Sequence, residues 1–206
     1  MRAAVVFESL FGNTRAVAEA TALGLREAAP EVTVQCCGTG EADPALGEAD
    51  LLVVGSPTHF LGMPSVRSRR VQRQTADQGA RHHEEGQEPS WPPGVREWLD
   101  SLPVQRGWHR AAAFDTRLGR LTAGSAARQI SRALRRHGYQ VIDRPQGFVV
   151  EDFRGPLASG ELDRARAWGA TLAAELSAPA PAPPRKLRRH LTVGAGGRQP
   201  PDRQRC

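Results

Sequence analysis

Ser9, Gly12 and Thr14 fall within six residues, directly after the apolar run Ala3–Phe7 and directly before a helical pattern. Two hydroxyls and a glycine at that spacing suit an oxyanion. The first N–H groups of a helix have no intrahelical partner, and the helix dipole adds positive potential there. Ser9 and Thr14 can add hydroxyl donors, and Gly12 lets the backbone approach closely or take a positive φ. An ordinary turn with Asn13 or Thr14 as N-cap has the same residues. The segment is no P-loop, because no Gly-Lys-Ser/Thr follows, and no G-x-G-x-x-G, because it holds one glycine.

Two further segments carry side chains suited to a ligand wall. Ser56-Pro57-Thr58-His59-Phe60 follows the apolar run Leu51–Val54. Asp115-Thr116-Arg117-Leu118 follows the weaker run Ala111–Phe114. His59 is the best candidate for a proton donor, and a loop histidine with its apolar body against a ligand reads equally well. Arg15 and Arg117 are cations that could attract a phosphate. No G-x-S-x-G elbow exists, which argues against a serine hydrolase of that type.

The elements that must position these residues alternate strand and helix five times. Val17, Thr21, Gly24/Leu25 and Ala28 mark a first helix; Glu31–Cys36 alternates like a strand. Gly38, Gly40, Asp43 and Pro44 mark a loop, Ala45–Ala49 reads as a short helix, and the first half of 66–94 reads as helix, its second half as a polar surface loop. Val95, Trp98, Leu99 and Leu102 have the spacing of a short amphipathic helix. Ser125 caps a helix carrying Ile130, Ala133, Leu134 and His137, which Gly138 stops. Two strand pieces, at 139–142 and 147–150, are separated by Pro145. Leu162, Ala165, Trp168, Leu172 and Leu176 form the stripe of a last helix. This order predicts an α/β fold: a doubly wound, five-stranded parallel sheet in three α/β/α layers with right-handed crossovers. Ligands of such sheets sit outside the carboxyl ends of the strands, where strand order reverses, so the three segments share one expected site.

Composition sets the remaining bounds. The net charge of +6 belongs to the tail: Ser177–Cys206 holds seven basic residues and one acid, and residues 1–176 hold 21 of each sign. The high isoelectric point therefore marks no nucleic-acid-binding domain, only a tail capable of weak, salt-sensitive contacts. The tail's Ala-Pro, Arg and Gly composition predicts disorder and a domain spanning 1–176. No apolar run is long enough to span a bilayer, and no apolar leader follows Met1, which predicts a cytoplasmic protein without membrane insertion. Cys36, Cys37 and Cys206 form no disulfide framework, and the adjacent pair suits buried packing. His82-His83-Glu84-Glu85 offers metal-ligand types in a solvated setting, and no metal site is assigned.

On these residues the chain resembles a flavodoxin. Ser9-Leu10-Phe11-Gly12-Asn13-Thr14 is similar to the family's phosphate loop, with Phe11 where threonine is commonest. Leu52–Thr58 is similar to the strand and loop that carry the flavin ring, and Glu97-Trp98-Leu99 to the end of the family's third helix. The flavodoxin fold itself illustrates the switch-point rule. The resemblance implies non-covalent FMN: its phosphate on Ser9–Thr14, its ribityl and ring along Ser56–Phe60, and Asp115–Leu118 closing the other side. Leu118 stands where many members have an aromatic, and the 67–94 insertion has no family counterpart. The implied function is electron transfer through bound FMN to a redox partner protein or a small-molecule acceptor. A nicotinamide-dependent quinone or flavin reductase, and a cofactor-free interaction domain, share the fold and remain open.

Overall fold

The computed structural model describes residues 1–59, 62–77, 92–119 and 124–178. In chain order the elements are β1 (Arg2–Phe7), α1 (Asn13–Ala28), β2 (Thr33–Gly38), a 3-10 turn (Pro44–Glu48), β3 (Leu51–Pro57), α2 (Val66–Asp77), α3 (Val95–Asp100), β4 (Arg110–Leu118), α4 (Ala126–Arg136), β5 (Gln140–Val141), β6 (Gln146–Val150) and α5 (Glu161–Ser177). The strands form one parallel sheet in the order 2-1-3-4-5, as expected. The fifth position is divided: Gln140 of β5 pairs with Arg110 at the start of β4, and Gln146 of β6 with Phe114 further along. Pro145 between them has no N–H to give the ladder.

Period-two alternation divides the core. Ala3, Val5 and Phe7 of β1 face α1 and α5, together with Val53, Phe114 and Phe148. Ala4 and Val6 face the other way, with Val54, Ala113, Trp98 and Leu99 of α3, and Ile130 and Leu134 of α4. Both faces are covered, so the strands read as continuous apolar runs. Phe114 meets Phe148 and Trp168 of α5 edge-on, Phe148 and Trp168 are tilted to each other, and the centroids are 6.0–6.1 Å apart.

Three expectations are corrected. Asp115–Leu118 and Ser56–Pro57 belong to strands, where a loop was expected. The cause is register: Ser56 pairs with Asp115 and Pro57 with Thr116, so the ladder runs on through polar residues. Ala28 is exposed and Ala29 takes the buried position at the end of α1. Leu162 is exposed, at the first turn of α5, while Ala165, Trp168, Leu172 and Leu176 are buried as expected.

α1 and α5 touch backbone to backbone. A Cβ on Gly24 would lie 1.9 Å from the Arg166 carbonyl oxygen, and one on Gly169 would lie 2.1 Å from that of Thr21. Alanine usually gains about 1 kcal/mol over glycine inside a helix. Gly24→Ala is expected to do the opposite, losing about 1–3 kcal/mol through overpacking. Urea denaturation decides between the signs, and a stabilised variant would rule out the close crossing.

The described residues run just past the expected boundary at 176/177. α5 extends through Ser177, and the buried Arg110 guanidinium donates to the Ala178 carbonyl. Truncation after Ala178 is expected to leave the melting temperature unchanged. Truncation after Leu176 strips Arg110 of that acceptor and is expected to cost about 1–3 kcal/mol. Equal melting temperatures would show the contact to be idle. The expected disorder of the tail concerns residues outside those described, as do His82–Glu85 and Cys206.

Candidate functional site

The carboxyl edge of the sheet gathers the three expected segments. Thr14 Oγ1 and Thr116 Oγ1 are 2.8 Å apart, and Thr58 donates its N–H to Thr116 O (2.8 Å) and its hydroxyl to Asp115 Oδ2 (3.0 Å). Among the described residues the edge holds several helix N-termini, and those of α2, α3 and α4 are met by this chain's own side-chain oxygens. Ser65 Oγ accepts from Ser68 N of α2. Glu8 Oε2 accepts from Val95 N of α3, and Glu97 Oε2 from Gly94 N. At α4, Thr58 Oγ1, Asp115 Oδ2 and Ser125 Oγ accept from the N–H groups of Ala126, Ala127 and Arg128. α5 starts at Gly160 without a side-chain cap but carries Glu161 and Asp163 in its first turn. α1 differs: its N-cap is Gly12, with φ 86°, no side chain caps it, and its first turn has no acid.

Within the first loop, Gly12 N donates to Ser9 Oγ at 3.1 Å. A Cβ on Gly12 would meet no atom within 4 Å, so the turn is open on that side. Thr14 is only 2% exposed and its hydroxyl is engaged with Thr116, so it faces the sheet. Asn13 Nδ2 donates to Arg154 O at 3.0 Å, and the Phe11 and Phe153 rings meet edge-on at 5.6 Å. Residues 153–154 are thus part of the site's surroundings, which the sequence reading missed. Arg15 pairs with Glu19 at 2.7 Å and Arg117 with Asp115 at 3.0 Å, so both cations have acidic partners.

Asp115 is 0% exposed. Its Oδ2 accepts from Thr58 Oγ1, Ser125 Oγ (2.7 Å) and Ala127 N (3.0 Å). Its Oδ1 has the Arg117 guanidinium beside it but accepts no hydrogen bond among the described residues. This carboxylate ties together β3, β4 and α4 and lies beneath the edge. Ser56 is fully buried as well, while Pro57 and Leu118 are half-buried at the rim and Phe60 lies outside the described residues.

A second buried ionic group stands between the first two segments. Arg69 Nη1 lies 2.9 Å from Glu97 Oε2 and 3.6 Å from Glu8 Oε1. Burial pushes the Glu8 carboxyl above its ordinary value, against the Val95 N–H and the Arg69 charge. Neither Glu8 nor Arg69 was singled out from sequence. The signal was a lone acid ending an apolar strand, where only a partner makes burial tolerable.

His59 forms a bridge with Gly62, each donating its N–H to the other's carbonyl at 2.9 and 3.0 Å. Its side chain is 7% exposed, with Nδ1 3.4 Å from Ser68 Oγ. Burial, then the Arg69 charge, push its pKa from 6.5 down to about 4. The imidazole is therefore neutral at pH 7 and can offer one N–H without carrying charge. The unfolded chain binds this proton below pH 6.5, while the folded chain resists it down to about pH 4. Stability is thus lost as pH falls through that window, by at most about 3 kcal/mol. Glu8 acts with the opposite sign, since its raised value favours proton uptake by the folded state. In His59→Gln the acid-side loss between pH 6.5 and 4 is expected to flatten; an unchanged slope in equilibrium unfolding would remove His59 as its source.

Burial raises the Cys36 thiol to about 11 and also raises Cys37, so neither is a ready thiolate. Among the described residues no group of three or more His, Cys, Asp or Glu is placed to hold a metal ion. None of their helices is long and apolar enough to cross a membrane.

No protein-family model and no curated protein matches the chain. Among solved structures it is similar to a flavodoxin from the domain Archaea, at 22% identity and a TM-score of 0.57, covering 86% of this chain and 100% of that one. It is similar to oxidised flavodoxin 1 from Bacillus cereus at 17% identity and a TM-score of 0.60, with coverage of 86% and 100%. The flavodiiron protein from Giardia intestinalis matches at 18% identity and a TM-score of 0.54, over 85% of this chain and 36% of that one. Strand order, layers and these likenesses agree: the chain has the flavodoxin-like fold.

Proposed function

We propose that the protein binds FMN non-covalently at the carboxyl edge of its sheet and transfers electrons through it. The observation that carries this reading is the α1 N-terminus, the one helix start at that edge, among the described residues, with neither a side-chain cap nor a first-turn acid, at the junction of β1 and β3. The open side of Gly12 leaves room for a phosphate there. The N–H groups of Asn13, Thr14 and Arg15 would hold it, and the helix dipole would favour its charge. Thr14 contributes through its backbone and through the bond that fixes its side chain on Thr116. Pro57, Thr58, His59 and Leu118 would flank the ribityl chain and the ring. FMN, when bound, supplies the exchange of one or two electrons. The neutral His59 would give the site a hydrogen-bond donor without a fixed charge.

The test is spectroscopic. Purified protein, or protein incubated with FMN, should show flavin absorption bands that remain after desalting. A colourless protein that takes up no FMN would sink the reading. A second reading, a cofactor-free interaction domain, draws support from the inward Thr14 hydroxyl and from the Phe11–Phe153 contact beside the first loop. The same absorption measurement separates the two.

A further inference from the structure

α4 carries four arginines and no acid. Its inner face is Ile130, Ala133 and Leu134, all buried. Its outer face is Arg128, Arg132, Arg135 and Arg136, all exposed and at positions i, i+4, i+7 and i+8, with no acid anywhere on the helix. Some exposed arginines elsewhere meet this chain's own carboxylates, Arg15 with Glu19, Arg164 with Glu161 and Arg166 with Glu27, while Arg26 and Arg96 reach backbone carbonyls. None of the four on α4 pairs with a carboxylate among the described residues; Arg135 reaches only Ser131 Oγ, at 2.6 Å. The row spans about 12 Å of helix.

Beside its carboxyl end the chain exposes apolar surface. Gln105 N donates to His137 O at 2.8 Å, fastening residues 103–109 to the end of α4. In that loop Val104 is 67% exposed and Trp108 42%. Arg106 is exposed between them. Tryptophan and arginine are the residues enriched where protein surfaces bind one another.

We propose that the outer face of α4, with the 103–109 loop, is a docking surface for an acidic protein partner that presents carboxylates to the arginines and an apolar recess to Trp108. Each guanidinium can take a carboxylate bidentately, and the unopposed row steers an anionic surface toward it. A duplex nucleic acid would use the arginines but gain nothing from Val104 and Trp108, and residues 1–176 as a whole are balanced in charge. The α4 N-terminus is pinned to Asp115 and Thr58, so the Arg128 end of this face lies toward the candidate flavin edge and the Trp108 end away from it. The proposal does not depend on FMN being bound.

The probe is a synthetic amphipathic helix with glutamates at i, i+4, i+7 and i+8 beside a row of leucines. It is titrated against the full-length chain at roughly 50 mM salt, where surface charges are weakly screened. Duplex DNA and phosphatidylserine vesicles are titrated in parallel. Arg128→Glu combined with Arg132→Glu is expected to weaken the peptide at least about tenfold. It should weaken DNA and vesicles less than about threefold, since the tail's basic residues also serve those polyanions. Arg128→Glu places a glutamate three residues after the cap Ser125, a capping box, so the helix should survive. Trp108→Ala, which leaves every arginine in place, should also weaken the peptide. Peptide affinity within about twofold of wild type in both variants, or an equal loss for DNA or vesicles, would overturn the proposal.

Discussion

Asp115→Ala is expected to cost about 3–5 kcal/mol of stability, the range for removing one partner of a buried ionic network. The carboxylate is 0% exposed. Its loss would leave the Thr58 and Ser125 hydroxyls and the Ala127 N–H without their acceptor and the Arg117 guanidinium without its counter-charge. For a chain of this size the melting temperature should fall by about 10 °C. Asp115→Asn keeps one acceptor and loses the charge opposite Arg117, so its cost should be smaller. Calorimetry of the two variants orders them. An alanine variant melting within about 2 °C of wild type would show that Asp115 faces solvent or ligand.

Ser9→Asp separates a phosphate site from an ordinary turn by the sign of two effects. Ser9 Oγ already accepts the Gly12 N–H, and a carboxylate can do the same. Placed at an uncapped helix start, its charge is expected to leave stability unchanged or raise it by about 0.3–1 kcal/mol. Against a phosphate roughly 8 Å away, at an effective dielectric near 20, the same charge costs about 2 kcal/mol per phosphate charge. FMN affinity should therefore fall by about thirtyfold or more. Riboflavin has no phosphate and should lose less than about threefold. Fluorescence titration of both flavins into wild type and variant gives the answer. Equal losses for the two flavins, or an unchanged FMN affinity, would remove the phosphate from the first loop.

Much of the fold was legible because it rests on local patterns. The apolar runs of β1 and β3, the stripe of α3 and the Ser125 cap each lie within a dozen residues, and each is found as read. The polar ends of β3 and β4 were read as loops, because an acid inside a strand normally signals solvent. What makes Asp115 tolerable is Thr58, 57 positions away, and Ser125, 10 away across another element. The Glu8 contact with Val95 spans 87 positions and lay beyond any local pattern for the same reason. Thr14 suits a ligand donor by its type and place; that its hydroxyl also meets Thr116, 102 positions on, no local pattern could show.

The close crossing of α1 and α5 also bears on how the chain matures on the ribosome. The helix that opens the candidate site is made first, yet the surface against which it seats is made last: the Glu27–Arg166 pair joins residues 139 apart in sequence. Val17, Ala18 and Leu25 share their cluster with Ala165, Leu172 and Leu176. Until α5 leaves the exit tunnel, that side of α1 has no cover, and domains complete their folding as units. A nascent chain arrested before residue 161 should therefore be protease-sensitive throughout and unable to retain flavin, and both properties should change together once α5 emerges.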